Sequence, residues 1–331
     1  MKKIINLQQD IVNEMLSGYV KANNDRVKFA NNKRIILRVK QKDLSKTALM
    51  IGNGSGHEPI AMGWVGEGLL DCNVVGDIFA SPSADLILNG IEHFNQNNGV
   101  ILLISHHAGD LMNGELAIEL AKEKGIKCEF LLMYDDIASA PKGKENERRG
   151  GAGTTFIYKI IGALAEKSES MESLLGLGKK VRGATRTLSV GISSGISPIT
   201  QKKMFELEED EIFIGMGVHG ESAYGRQKIS NSKEIINFML DRIFEDYKYN
   251  KGDIVIPFVN GSGSTTLMEL LIIYNDIDNY LEYYGVKTFK PLINEYITTQ
   301  DTAGFSISLL KSDDQMRRLW TAPVSAPYFH L

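Results

Sequence analysis

Through residue 185 or so, hydrophobic positions fall in short apolar runs separated by stretches with helical spacing. The runs at 47–51, 73–75, 100–104 and 129–133 have strand length and read as buried strands. Between them, 84–94 and 115–124 carry helical periodicity, and Gly125 follows the second where a C-terminal cap glycine belongs. Strand, helix, strand in this rhythm predicts a largely parallel sheet with helices on both faces. Such sheets bind ligands in loops at the carboxyl ends of their strands, here after Ile51, Ile104 and Met133.

Further helices are predicted at 154–166 and 171–180, followed by a connector at 182–186. A second unit opens with a strand at 188–192, and 215–218 leads into a loop that carries a histidine. Residues 233–246 form an amphipathic helix with Ile235, Ile236, Phe238, Met239, Ile243 and Phe244 on its apolar face. A strand at 254–259, a helix at 267–274 and a final strand at 305–310 complete the pattern. The predicted fold class is α/β, with two α/β domains at 1–185 and 186–331, the second one smaller.

A length of 331 residues suits two domains, and 43% hydrophobic with 24% charged residues is a globular balance. The 37 basic and 41 acidic residues leave a net charge of −4, which gives no case for direct nucleic-acid or membrane binding. The first residues lack the apolar stretch of a signal peptide, and the runs at 100–104 and 254–259 are too short to span a bilayer. Cys72 and Cys128 form no CxxC motif, so free or buried thiols are expected, with no zinc site. A cytoplasmic location is the expectation.

Four loops are candidates for chemistry. Gly52-Asn53-Gly54-Ser55-Gly56-His57-Glu58-Pro59 follows a predicted strand, and its glycines let backbone N–H groups approach a small polar ligand. It matches neither GxGxxG nor a Walker loop, and the plainer reading is a tight turn with a capping histidine. Ser105-His106-His107-Ala108-Gly109-Asp110 places an acid at a strand end, where it can act as a base or simply cap the next helix. Two adjacent histidines point apart on a regular element, so they make a weak metal site. Gly215-Met216-Gly217-Val218-His219-Gly220-Glu221 leaves the imidazole of His219 accessible as a nucleophile or base, unless it is an ordinary surface turn. Val259-Asn260-Gly261-Ser262-Gly263-Ser264-Thr265 could bind an anion at the N-terminus of the following helix, and its plainer reading is a turn and helix cap. Arg148-Arg149-Gly150-Gly151-Ala152-Gly153-Thr154 could contact phosphate, and its plainer reading is a helix lead-in with solvated arginines.

Taken in order, these segments resemble the K subunits of dihydroxyacetone kinases. The resemblance rests on Gly54-Ser55-Gly56-His57-Glu58-Pro59, Gly109-Asp110, Asp135-Asp136, Arg148-Arg149-Gly150, Gly153-Thr154 and Gly217-Val218-His219-Gly220-Glu221. Ser306-Ile307-Ser308-Leu309-Leu310-Lys311 and Ala322-Pro323 extend it over almost the whole chain. It implies a homodimer of two-domain chains that binds dihydroxyacetone. It implies that a nitrogen of His219 adds to the ketone carbon to form a hemiaminal, a test that glycerol, with no electrophilic carbon, fails. It implies that Gly54, Ser55, Gly56 and His57 grip the sugar hydroxyls and that Asp110 bonds a terminal hydroxyl or acts as a base. No cofactor is implied for this chain; ADP and magnesium belong to a separate L subunit.

The departures from the family pattern are local. Its Lys-Asn-Tyr-Thr-Gly-Asp is Ser105-His106-His107-Ala108-Gly109-Asp110 here, so Ser105 stands where a sugar-contacting lysine is usual. Its Gly-Glu-Pro-Gly is Gly220-Glu221-Ser222-Ala223, its Asn-Phe-Glu is Asn113-Gly114-Glu115, and its Asn-Leu-Gly turn is Asn260-Gly261-Ser262-Gly263. Phosphoryl transfer needs cations around the transition state, so these losses weigh more on transfer than on binding. They point to a paralogue of the same family that senses dihydroxyacetone and co-activates transcription of the kinase operon with a TetR-like regulator. A kinase K subunit working with an L subunit is the alternative.

Overall fold

A computed structural model describes residues 3–217 and 224–329. The first half of the chain forms a six-stranded sheet: β1 (Val27–Phe29), β2 (Ile35–Arg38), β3 (Ala48–Ser55), β4 (Cys72–Ile78), β5 (Val100–Ser105) and β6 (Cys128–Met133). The order is β1-β2-β4-β3-β5-β6. The four strands from β4 to β6 are parallel, and β1 and β2 add an antiparallel margin. Five helices flank it: α1 (Ile11–Ala22), α2 (Ala84–Glu92), α3 (Ala108–Glu123), α4 (Thr154–Ala165) and α5 (Met171–Gly183). Alternation along the strands sorts the faces. Met50, Val100, Leu102 and Ile104 pack with α2 and α3, while Leu49, Ile51, Ile101 and Leu103 pack with α1, α4 and α5. This is the largely parallel sheet, covered on both faces, that the strand–helix rhythm predicts.

The second sheet contains β7 (Thr185–Ser193), β8 (Glu211–Ile214), β9 (Gly225–Lys228), β10 (Ile254–Gly261), β11 (Lys287–Thr288), β12 (Leu292–Asn294) and β13 (Ala303–Lys311). Its order is β11-β10-β13-β7-β8-β9, with β12 also on β10. The central pairs are antiparallel. Helices α6 (Ser232–Asp246) and α7 (Leu267–Tyr283) cover one face, against Phe305, Ile307 and Leu309. From the other face, Ile256, Phe258 and Leu310 join the apolar cluster around α4. Helix α4 is buried along its whole length, as an apolar helix held between two layers must be. The short α8 (Asp314–Trp320) and the chain to Phe329 return against it, with Trp320 and Phe329 both buried. One apolar cluster therefore spans both halves, and the division at residue 186 stays a proposal.

Several boundaries differ from expectation. There is no connector at 182–186, because α5 runs to Gly183 and β7 starts at Thr185. Helix α3 begins at Ala108, so the small residues Gly109 and Gly114 lie within it. Helix α7 continues to Tyr283, because Ile273, Ile277, Tyr280 and Leu281 keep a buried stripe going past the polar stretch at 275–276. Gly125 has φ +74 and closes α3 as expected. Its N–H bonds Lys122 O, and that of Ile126 bonds Ala121 O, the paired bonds of a Schellman cap. Cys72 and Cys128 are both free and buried. Among the described residues, no helix is long and apolar enough to cross a membrane.

Candidate functional site

Strand β3 runs on through Ser55, so the glycine-rich segment is a strand end and not a free turn. A Cβ on Gly54 would lie 2.8 Å from the Ala80 nitrogen and 2.9 Å from its oxygen, so only glycine fits there. Gly56 has φ +102, a conformation L side chains rarely adopt. Ser55 is buried, and its Oγ has no hydrogen-bond partner among the described residues. His57 is also buried, with Nδ1 2.8 Å from the Thr298 carbonyl oxygen. A carbonyl only accepts, so Nδ1 carries the proton and a neutral His57 keeps its basic lone pair on Nε2. His57 thus ties the first sheet to the segment before β13.

At the end of β5 the chain leaves strand geometry, and His107 takes the N-cap position of α3. Asp110 therefore lies in the first turn of that helix and is not its cap, a place where the helix dipole favours a carboxylate. His107 Nδ1 is 3.2 Å from Ser105 Oγ and 3.9 Å from Asp110 Oδ2. His106 Nδ1 is 2.7 Å from the Arg148 carbonyl oxygen, which again assigns that proton to Nδ1. Both histidines are among the walls of one cavity, but their rings engage different partners, His106 the Arg148 carbonyl and His107 the Ser105 hydroxyl.

The cavity measures about 390 Å³, and Gly54, His57, Ser105, His107, Asp110, Arg149 and Tyr158 are among its walls. Of the predicted site residues, Gly54, His57, Ser105 and Asp110 meet there, while Ser55 and Gly56 are not part of the wall. His219 lies outside the described residues. The described chain reaches Gly217, which with Met216 lines a smaller cavity of about 50 Å³. The two cavities share His107, Arg149, Gly150, Gly151 and Ile297.

The arginines of the lead-in to α4 are not solvated. Arg148 is 1% exposed, binds both carboxylate oxygens of Asp246, and donates to the Ala140 carbonyl at 2.9 Å. Arg186 shares Asp246. Arg149 Nη2 lies 2.9 Å from Asp136 Oδ2. The segment is held between the two sheets, where unpaired cations would be costly, so each has a carboxylate. Burial pushes Asp136 up to about 6, against the pull of Arg149. Asp135 is raised as well by burial, although the Thr187 hydroxyl and the Gly151 and Gly153 amides oppose the shift. It accepts those amides at 2.6 and 2.9 Å and so shapes the turn that carries Arg149 into the cavity wall. Within this segment, among the described residues, only Arg149 and Asp136 form a pair between two quoted motifs; Arg148 finds its carboxylate on α6.

The segment from Asn260 also differs in detail. Asn260 is buried, and its Oδ1 accepts the Tyr296 and Ile297 amides at 2.9 Å each. The cap of α7 is Thr266, which forms a capping box with Glu269. Among the described residues, no group of three or more His, Cys, Asp or Glu is placed to hold a metal ion.

A family model for the Dak1 domain matches residues 17–328. The chain belongs to the Dak1 family. It is 41% identical, over 95% of each chain, to the dihydroxyacetone-binding subunit DhaK of PTS-dependent dihydroxyacetone kinase 1 from Listeria innocua. Among solved structures, the dihydroxyacetone kinase operon co-activator Dha-DhaQ matches this Dak1 chain with a TM-score of 0.89 and 29% identity, covering 95% of this chain and 97% of that one. The native dihydroxyacetone kinase of C. freundii matches with the same TM-score of 0.89 at 25% identity, covering 99% of this chain and 60% of that one. The expected family and α/β fold both stand.

Proposed function

We propose that this Dak1 chain captures dihydroxyacetone as a hemiaminal on His219 and serves as a sensor that co-activates a dihydroxyacetone kinase operon with a TetR-like regulator. The observation that carries the binding reading is the convergence of His57 and Asp110 on one cavity, joined to the space that Gly217 lines just before His219. In the capture step a nitrogen of His219 forms a bond to the ketone carbon. The C=O π pair moves to oxygen, which takes up a proton, while the imidazole gives up its own N–H proton. Asp110 accepts a hydrogen bond from one terminal hydroxyl, and the basic nitrogen of His57 accepts another. Homodimerisation and a cytoplasmic location belong to the same proposal.

The sensor reading is supported by the cations. Among the described residues no lysine lines the cavity; Ser105 bonds His107, and Arg149 is already held by Asp136. Phosphoryl transfer without further cationic help would be slow. The likeness to the Dha-DhaQ co-activator supports the same reading. A second reading, the dihydroxyacetone-binding subunit of a kinase whose separate L subunit holds ADP and magnesium, is favoured by the 41% identity to DhaK. A turnover assay decides between them: the chain, dihydroxyacetone, magnesium and the charged L subunit, beside a working K subunit. Dihydroxyacetone phosphate formed at the control rate would overturn the sensor reading. Ligand binding without product supports it.

A further inference from the structure

We infer that the outer face of α7 is a docking surface for a protein partner that presents an apolar ridge flanked by lysines or arginines, and that this partner is the transcription regulator of the sensor reading. The inference deepens that reading and rests on it for the identity of the partner.

Helices α6 and α7 cover the same face of the second sheet, yet their outer sides differ. On α6 the exposed positions are Lys233, Glu234, Asp241 and Glu245, all charged, as a helix side turned to water should be. On α7 they include Leu267, Met268, Leu271 and Ile272, each between 49% and 68% exposed. The helix already buries another stripe, Leu270, Ile273, Ile277 and Leu281, in the apolar cluster on the sheet. The exposed four therefore form a second apolar face. Leu267 and Leu271 stand four residues apart, as do Met268 and Ile272, so each pair lies side by side on the helix surface. A lone exposed leucine is ordinary. Four aliphatic side chains together, about half in water, reach the few hundred Å² at which an apolar patch marks an interaction site.

Charge selects the occupant. Helix α7 carries Glu269, Asp276, Asp278 and Glu282 and no lysine or arginine. Asp276 also lines a groove of about 510 Å³ between α6 and α7, with Asp241 and the exposed Tyr283, against the single cation of Lys233. A second copy docked face to face would bring two such acidic helices together, which like-charge repulsion opposes. A partner whose apolar ridge is bordered by cations matches both the patch and its rim.

The place of the patch says which partner. Among the described residues, none of α7 lines either cavity. A subunit that delivers phosphate must reach the ligand, so this face does not suit it. A regulator needs only a surface joined to the site. Ser262, in the wall of the smaller cavity, precedes α7 by little more than a turn of chain, and Thr265 between them donates to the Gly304 carbonyl of β13 at 2.6 Å.

Calorimetric titration of the full chain with the purified TetR-like regulator from the same organism tests this. Leu271→Arg leaves the buried stripe untouched and sets a cation against the partner's own. It should weaken the complex about thirtyfold or more, the scale of an interface hot spot. Glu282→Lys should weaken it about three- to tenfold, and added salt should weaken the unaltered complex. Dihydroxyacetone binding should stay within about twofold in both variants, which shows that they are folded. A regulator that binds Leu271→Arg as tightly as the unaltered chain overturns the inference and leaves the sensor reading standing. So does sedimentation in which Leu271→Arg splits a dimer of the unaltered chain, because the face then belongs to a second copy. If the unaltered chain binds dihydroxyacetone but not the regulator, the sensor reading itself fails and takes this inference with it.

Discussion

The first sheet builds its share of the candidate site from the ends of neighbouring parallel strands, whereas the second builds its share across three antiparallel strands far apart in the chain. In the first, β3 and β5 end side by side, and each releases a short polar segment at the same edge. His57 and Asp110 meet because parallel strands leave from the same end. In the second, Ser189, Ser306 and Asn260 come together only through pairing of β7, β13 and β10. The first sheet supplies an open wall with charge and imidazoles, and the second a tight polar floor. On the proposed reading this difference divides recognition, with the bond-forming nucleophile coming from the second half and the charged hydroxyl partner from the first.

The largest expected effect tests that division. His219→Ala should abolish detectable dihydroxyacetone binding by calorimetry, while Asp110→Asn should weaken it by roughly ten- to a hundredfold, the range for losing a charged hydrogen bond. Equal effects from the two would mean that both halves contribute alike and that no covalent step dominates.

The same contrast explains what could be read from the chain alone. The strands at 47–51 and 100–104, and the loops behind them, were legible because buried parallel strands are continuous apolar runs, whereas 129–133 lies in the edge strand β6, which is only partly buried and exposes Glu129. Gly54, His57, Ser105 and Asp110 stand one step beyond such runs. The grouping of Ser189, Ser306 and Asn260 depends on register between segments more than 40 residues apart, which no local pattern encodes. The burial of Arg148 was missed for the same reason. Its partner Asp246 lies on α6, and a basic pair in a glycine-rich stretch looks solvated until the chain is closed around it. Strands β1, β2, β8 and β9 are too short to carry a period, and their pairing decides them.

How tightly the halves are joined can be broken at Arg148. Its guanidinium, 1% exposed, links the lead-in to α4 with Asp246 on α6. Removing one partner of a buried pair destabilises by about 3–5 kcal/mol, and Arg186 remains on Asp246, so Arg148→Ala should cost about 3 kcal/mol in urea unfolding. An unchanged midpoint would show that this pair does not hold the sheets together.

At Gly54 the effect should be smaller and should fall on the cavity wall as well. An added methyl meets the Ala80 backbone at 2.8 Å, which side-chain rotation cannot relieve. Gly54→Ala should destabilise by about 1–3 kcal/mol, the usual range for overpacking, and should weaken ligand binding. Loss of stability with full affinity would separate this strand end from recognition.

The smallest effect concerns the helix between the sheets. Lys159 of α4 is fully buried, and its Nζ donates to the Leu319 carbonyl at 2.8 Å, near the end of α8. Burial pushes its pKa down from 10.5 to about 8. The unfolded chain then holds more protons than the folded one between about pH 8 and 10.5, so stability should rise with pH across that window. Below pH 8 the charge is present in both states, and its full desolvation penalty acts on the fold. Lys159→Met keeps the volume and removes the charge, but it orphans the Leu319 carbonyl, which is unfavourable by about 1 kcal/mol or more. The net expectation is a gain of about 1–2 kcal/mol at pH 7, shrinking through the window as the wild-type chain gains stability. Urea unfolding of both chains at pH 7 and pH 10 measures it. A variant that is less stable at pH 7, with the wild-type slope unchanged, would mean that the bond from Lys159 to the end of α8 outweighs the burial of its charge.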